Sequence, residues 1–391
     1  MQNYHKKSNH IYDYVIIGSG LVGLVVANAL NKLSQNILLL ESGDNYGGVN
    51  RSINTPFGAV NNGLRFLPDS VPAHQALAFL EMLLMTSVQP ESYEEPAVNY
   101  EAGGLRPFVG FGNNPPPFYE EISYFANARG LNTKLDAHEW TQILFNNYSG
   151  DFLPRSYVTK FHMAAEGNSS ISHLTINGQK NINGKKFIYC ADIKQLKTLL
   201  PEAALGHKAF LKIAKNQYWT AVCLDLLHSK FVTESTAMHI LNGTTQDEFG
   251  PCAGKFLPAG EVNGEQLQYS QWMTFLDDEE AEDSEIVGLA LKKIKRQIKR
   301  AYPEALEQLK FERILVVPSY SGNGELKLTD EQALPNCENF HIASHQIHSQ
   351  KNLIGALLQA EAVVEALGAH PMKMSPANLE TELELGTETE I

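Results

Sequence analysis

Tyr14-Val15-Ile16-Ile17-Gly18-Ser19-Gly20-Leu21-Val22-Gly23 opens a unit that closes at Glu41-Ser42, and its reading decides the fold. Tyr14 to Ile17 is a short apolar, β-branched run, the kind that forms a strand buried on both faces. It passes directly into the spacing Gly18-x-Gly20-x-x-Gly23. Leu24, Ala27 and Leu30 follow at helical intervals, a second apolar run occupies Ile37 to Leu40, and Glu41 ends it. Each position has a physical task. Gly18 permits a tight turn, Gly20 lets the backbone approach a pyrophosphate, and Gly23 lets the helix pack closely on the sheet. The helix start at Leu21 and Val22 offers unpaired N–H groups and the positive end of its dipole to phosphates. Glu41, with Ser42 beside it, is placed to accept hydrogen bonds from ribose hydroxyls. Strand, helix, strand and acid in this order predict a dinucleotide-binding βαβ unit, and an α/β fold on a parallel central sheet.

The residues just past Glu41 bear on which dinucleotide is held. Gly47-Gly48-Val49-Asn50-Arg51-Ser52 brings a second glycine pair, and Asn61-Asn62-Gly63-Leu64-Arg65-Phe66-Leu67 follows. Further on come Leu174-Thr175-Ile176-Asn177-Gly178 and Lys186-Phe187-Ile188-Tyr189-Cys190-Ala191. Asn177-Gly178 independently predicts a hairpin turn, because both positions tolerate positive φ. Near the C-terminus, Phe340-His341-Ile342-Ala343-Ser344 precedes Asn352-Leu353-Ile354-Gly355-Ala356-Leu357. Together these segments resemble the flavin-containing amine oxidase superfamily, which includes monoamine oxidases, protoporphyrinogen oxidases, phytoene desaturases and, more distantly, UDP-galactopyranose mutases.

The resemblance implies FAD as cofactor, bound non-covalently, since Cys337 precedes the last strand rather than lying beside the following helix. It places FAD contacts at Gly18, Gly20, Leu21, Val22, Gly23, Glu41, Ser42, Gly48, Val49, Asn62, Gly63, Leu64, Ser344, Ile354 and Gly355. Three positions depart from the family pattern. Val49 stands where arginine is frequent, Asn62 where aspartate is usual, and Ala343-Ser344 where Gly-Asp is expected. The resemblance also implies an interleaved architecture. An FAD-binding Rossmann-like domain with a β-meander is expected over 10–90, 155–204 and 335–370, and an α+β substrate domain over 91–154 and 205–334. Within the latter, Asn99 to Gly112 and Leu267 to Phe275 read as strands, and Val287 to Tyr302 as a helix stopped by Pro303. Residues 375–391, rich in Glu and Thr, read as a flexible acidic tail.

Composition narrows the function class. At 391 residues, 43% hydrophobic and 19% charged, the chain can bury two real cores and is neither disordered nor membranous in character. A net charge of −13 disfavours nucleic acid and anionic membranes as partners. No stretch approaches the roughly eighteen apolar residues of a membrane span. Met1 to His10 is polar and lacks an apolar signal core, so a cytoplasmic location is expected, with Cys190, Cys223, Cys252 and Cys337 reduced. His341, His345 and His348 cluster, but no cysteine or acid shares their spacing, so no metal site is expected. The basic run Lys292 to Arg300 reads as a solvated helix face.

The resemblance implies an oxidoreductase whose flavin takes a hydride from a small amine, amino acid or biosynthetic intermediate. Oxygen, a quinone or a carrier protein would then act as electron acceptor. A flavin-dependent mutase or isomerase, a partner-dependent or non-catalytic flavoprotein, and a nicotinamide enzyme are the alternatives, and a homodimer is left open. Such chemistry needs no general base, so catalytic residues are weakly marked. Tyr269, Trp272 and Tyr320 are candidates for substrate contact, and His345 and His348 for a flavin-side hydrogen bond or proton transfer. Lys160 could stand for the lysine that recurs near the flavin in amine oxidases but carries no motif, and Arg106 could bind a substrate carboxylate, although a surface strand arginine is the simpler reading.

Overall fold

The structure, a computed structural model, describes residues 10–369 apart from 57, 114, 165–168, 243–249, 308 and 323–325. The expected tail over 375–391 lies outside the described residues.

The apolar runs on either side of the glycine turn form β1 (Ile11–Ile17) and β2 (Ile37–Leu40), joined by α1 (Leu21–Leu30). They lie side by side in parallel, Val15 opposite Leu38 and Ile17 opposite Leu40. The sheet continues in parallel with Asp151–Leu153 beyond β2, and with Lys180–Tyr189 and then Cys337–Ile342 beyond β1. The first half of Lys180–Tyr189 instead pairs antiparallel with Ile171–Ile176, which pairs with Val158–Met163 to make the meander. Asn177 (φ 53°) and Gly178 (φ 71°) form the turn between two of these strands, as their sequence predicts.

Both faces of this sheet are covered, which is why β2 is buried at all of its positions. Helix α1, Val71–Leu84, Ala137–Asn147 and Asn352–Ala366 cover one face through Leu24, Leu80, Trp140 and Val363. On the other face, Phe161, Phe187 and Phe340 pack beneath Leu196 and Ile213. Residues 137–153 therefore belong to this layer, and not to a substrate unit spanning 91–154 as expected from the sequence. The strand Asp151–Leu153 hydrogen-bonds along β2, and Asn28 Nδ2 on α1 donates to the Leu144 carbonyl at 2.8 Å.

A second, largely antiparallel sheet runs in the order Leu309–Gly322, Tyr218–His228, Glu265–Asp277, Cys252–Phe256, His239–Leu241, Val98–Glu101, Gly104–Pro107. Asn99 to Gly112 is not one strand: Ala102 (φ 49°) and Gly103 (φ 83°) turn it into a short hairpin. The helix spans Ser284–Ala301, capped by Asp283, whose carboxylate accepts from Glu285 N at 2.8 Å. It lays Ile294 and Ile298 on Trp272 and Leu224. Its basic face is only partly solvated: Lys295 pairs with Glu312 at 2.7 Å, whereas Lys293 is buried.

Burial holds His239 and His341 at a pKa of about 4, below the ordinary 6.5. Between those values the unfolded chain takes up protons that the folded chain does not, so stability is lost as pH falls. Each group contributes a slope of about 1.4 kcal/mol per pH unit in that window. Urea denaturation at pH 7, 5.5 and 4.5 should show this fall, and His239→Gln should make it shallower.

Candidate functional site

The site begins where β1 turns into α1. Gly18 adopts φ +99°, and the carbonyl it presents meets the helix so closely that a Cβ on Gly23 would lie 1.8 Å from the Gly18 oxygen. Gly20 caps α1 without a side-chain hydrogen bond, and no acid sits in the first turn. The amide end of the helix is therefore left for an anion. The second glycine pair is laid against the first. Gly47 N donates to the Ser19 carbonyl at 2.8 Å, and a Cβ on Gly48 would come within 3.2 Å of the Gly20 Cα. The two glycine motifs thus form one bare backbone surface. At its edge, Glu41 accepts from Ser19 N (3.1 Å), Ser19 Oγ (2.6 Å) and Gly43 N (2.8 Å), which fixes the carboxylate at the end of β2.

These residues open into a cleft of about 330 Å³. Of the residues singled out in the sequence, Gly18, Gly20, Leu21, Val22, Glu41, Ser42, Gly48, Val49, Leu64, Tyr320, Ser344 and His345 line it. Ser344 occupies the place expected for aspartate and caps a short helical turn, its Oγ accepting from Gln346 N at 3.3 Å. Gly23, Gly355 and Ile354 do not line the cleft. The two glycines are close-approach positions, a Cβ on Gly355 falling 1.9 Å from the Gln350 oxygen, and Ile354 is buried in the core. The neighbours Asn352, Leu353 and Ala356 face the cleft instead. Asn62 and Gly63 sit behind its wall: Asn62 is buried, with Nδ2 3.5 Å from the Val49 carbonyl, and Gly63 turns the chain at φ +81°.

Tyr320 reaches the cleft because its strand is bulged. The ladder between Leu309–Gly322 and Tyr218–His228 shifts register at Pro318-Ser319, where Ser319 takes φ +50°. Asp278 holds that conformation, accepting from Ser319 N (3.0 Å), Ser319 Oγ (2.7 Å), Thr220 Oγ1 (2.5 Å) and Lys194 Nζ (2.7 Å). The Tyr320 carbonyl then accepts from His345 Nε2 at 2.8 Å. Burial lowers the His345 pKa, and that bond places the proton of the neutral ring on Nε2.

Tyr269 and Trp272 are fully buried and lie off the cleft; Trp272 lies over Gly254 and donates to Ser270 Oγ at 2.9 Å. His348 also lies off the cleft, its Nδ1 accepting from Gln350 N at 3.0 Å. Lys160 and Arg106 are exposed strand residues, and Cys337 is buried within its strand.

A second chamber of about 590 Å³ adjoins the cleft, with Leu64, Arg65, Phe66 and Leu353 lining both. Tyr93, Trp140, Lys255 and Gln271 line it, none of them marked by a motif in the sequence. Arg65 was legible only as part of the segment after Asn62. Its guanidinium reaches back to the Val49 carbonyl, to Asn50 Oδ1 (3.0 Å) and to the Leu64 carbonyl (2.8 Å). A cation therefore stands beside Val49, the position where the family often carries arginine.

Residues 16–83 match the NAD(P)-binding Rossmann-like domain family. The whole chain is similar in structure to an oxidoreductase from Methanosarcina mazei, with a TM-score of 0.63 at 12% identity over 90% of this chain and 99% of that one. It is also similar to the cyclohexylamine oxidase of Brevibacterium oxydans IH-35A, with a TM-score of 0.61 at 13% identity over 96% and 100% of the two chains. A putrescine oxidase bound to putrescine gives a TM-score of 0.60 at 11% identity over 92% and 100%. The chain shares the fold of these oxidases, and its first part matches a dinucleotide-binding Rossmann-like domain. No described helix is long and apolar enough to cross a membrane.

Proposed function

We propose that this protein is an FAD-dependent oxidoreductase that takes a hydride from a small molecule held in the chamber beside the flavin. The observation that carries the reading is the apposed pair of glycine motifs, with an uncapped helix start and a fixed carboxylate at either side. A groove of bare backbone this close to a helix N-terminus suits a pyrophosphate, and Glu41 suits ribose hydroxyls.

Gly18, Gly20, Leu21, Val22 and Gly48 would hold the diphosphate, and Glu41 the adenosine ribose. Ser344, His345, Leu64 and Leu353 would border the flavin end. FAD bound there supplies a ring able to accept a hydride equivalent. Leu64, Phe66 and Leu353, with Arg65 among them, line the border between cleft and chamber, and their apolar side chains limit water at the meeting point. Neutral His345 acts through its hydrogen bond, fixing the Tyr320 segment against the cleft wall. The small-molecule substrate is drawn from amines, amino acids or related intermediates, and oxygen, a quinone or a carrier protein accepts the electrons.

The purified protein should show flavin absorbance bands, and acid precipitation should release all of the flavin into the supernatant, because Cys337 lines neither cavity and Cys190, the cysteine in the cleft lining, sits against the Gly18 turn at the diphosphate end. Anaerobic addition of a substrate should bleach the bands, and oxygen or an added quinone should restore them. A colourless protein that takes up no added FAD would overturn the reading.

A further inference from the structure

The chamber's charge is unbalanced. Lys255 lies on Cys252–Phe256, whose alternation turns Phe256 into the core with Trp272 and leaves Lys255 on the opposite face, in the chamber wall. Its ammonium sits 5.6 Å from the centre of the Tyr93 ring. Glu95 and Asp136 are the carboxylates whose charges act on it. Neither forms an ion pair with it among the described residues. Asp136, the acid in the chamber lining, is engaged in a reciprocal capping box with Glu139 at the start of Ala137–Asn147. At the border with the cleft, Arg65 donates only to neutral oxygens, of Val49, Asn50 and Leu64.

Two cations thus face one cavity with a single lining carboxylate, Asp136, which keeps its charge while it starts the helix. A desolvated ammonium without a close counter-ion is costly, and an incoming anion would relieve that cost. An ammonium substrate would meet like charge instead.

We propose that the chamber selects a substrate bearing a carboxylate, anchored by Lys255 on the wall and assisted by Arg65 at the border with the cleft. This deepens the oxidoreductase reading and rests on it for the word substrate, although anion binding itself can be tested without flavin.

The probes are benzoate and benzylamine, equal in size and opposite in charge. They are titrated at matched ionic strength into FAD-loaded protein, read by the flavin spectrum, and into flavin-free protein, read by tryptophan fluorescence, to which Trp140 in the chamber wall contributes and which a Trp140→Phe control assigns. Benzoate should bind at least about ten-fold more tightly than benzylamine, consistent with a charge-assisted hydrogen bond. Lys255→Met should remove that preference, and Lys255→Arg should keep it, which separates lost charge from lost folding. Benzylamine binding as tightly as benzoate, or benzoate binding unchanged in Lys255→Met, would overturn the proposal. Should the protein refuse FAD yet quench with benzoate in a Lys255-dependent way, the flavin reading fails and the anion chamber stands.

Discussion

Gly23→Val should yield a protein that no longer retains FAD through gel filtration. Even a single Cβ at this position would lie 1.8 Å from the Gly18 oxygen, and that oxygen belongs to backbone that cannot rotate aside. Either α1 moves off the sheet or the Gly18 turn opens. Overpacking of this kind costs about 1–3 kcal/mol of stability. The larger effect falls on the ligand, because both movements displace the helix amides from the phosphates. Two charge-assisted hydrogen bonds lost together amount to about 3–6 kcal/mol, so affinity for FAD should fall by more than about a hundred-fold. Isothermal titration of the flavin-free protein measures it. Binding at wild-type strength would show that the phosphates do not rest on this turn.

Glu41→Ala is the second large effect, and it works through a different contact. The carboxylate gathers Ser19 N, Ser19 Oγ and Gly43 N at the end of β2. Removing it takes away the acceptor for the ribose hydroxyls and leaves these donors to find water. A hydrogen bond to a charged group contributes about 1.5–3 kcal/mol, so FAD should bind about ten- to a hundred-fold more weakly. Glu41→Gln should fall between wild type and Glu41→Ala, since it keeps one acceptor oxygen and loses the charge. Circular dichroism should stay unchanged in both variants, because the effect is confined to the rim of the cleft.

The glycine-lined half of the cleft was legible in the sequence because its physics is local. A tight turn, a close approach and a helix start each demand glycine at a fixed spacing, and Gly18, Gly20, Gly23 and Gly48 answer those demands within one short stretch. The turn at Asn177-Gly178 was legible for the same reason. The far wall was not. Lys255 and Gln271 reach the chamber only because the strands Cys252–Phe256 and Glu265–Asp277 pair in one particular register, which is a long-range property. Tyr269 and Trp272 failed as candidates for the same reason: aromatic residues on a strand announce burial, not which layer buries them. Tyr320 reaches the cleft through a bulge that Asp278 holds from a distant strand end, and no spacing in the sequence announces that.

Departures from the family pattern also look different in three dimensions. Val49 removes a cation from one position, and Arg65 returns one to the Val49 carbonyl from the next segment. Ser344 stands in for an acid and keeps a polar oxygen at the same bend of the chain. Residues 137–153 sit against β2 and α1 because an apolar sheet edge needs a covering strand, a requirement set by packing rather than by local pattern.

The most direct test of the account is a calorimetric titration of the stripped protein with FAD and, separately, with NADH. One FAD site per chain of micromolar affinity or tighter is expected, weakened by Gly23→Val and Glu41→Ala, with no heat from NADH. Saturable binding of NADH together with none of FAD would contradict it.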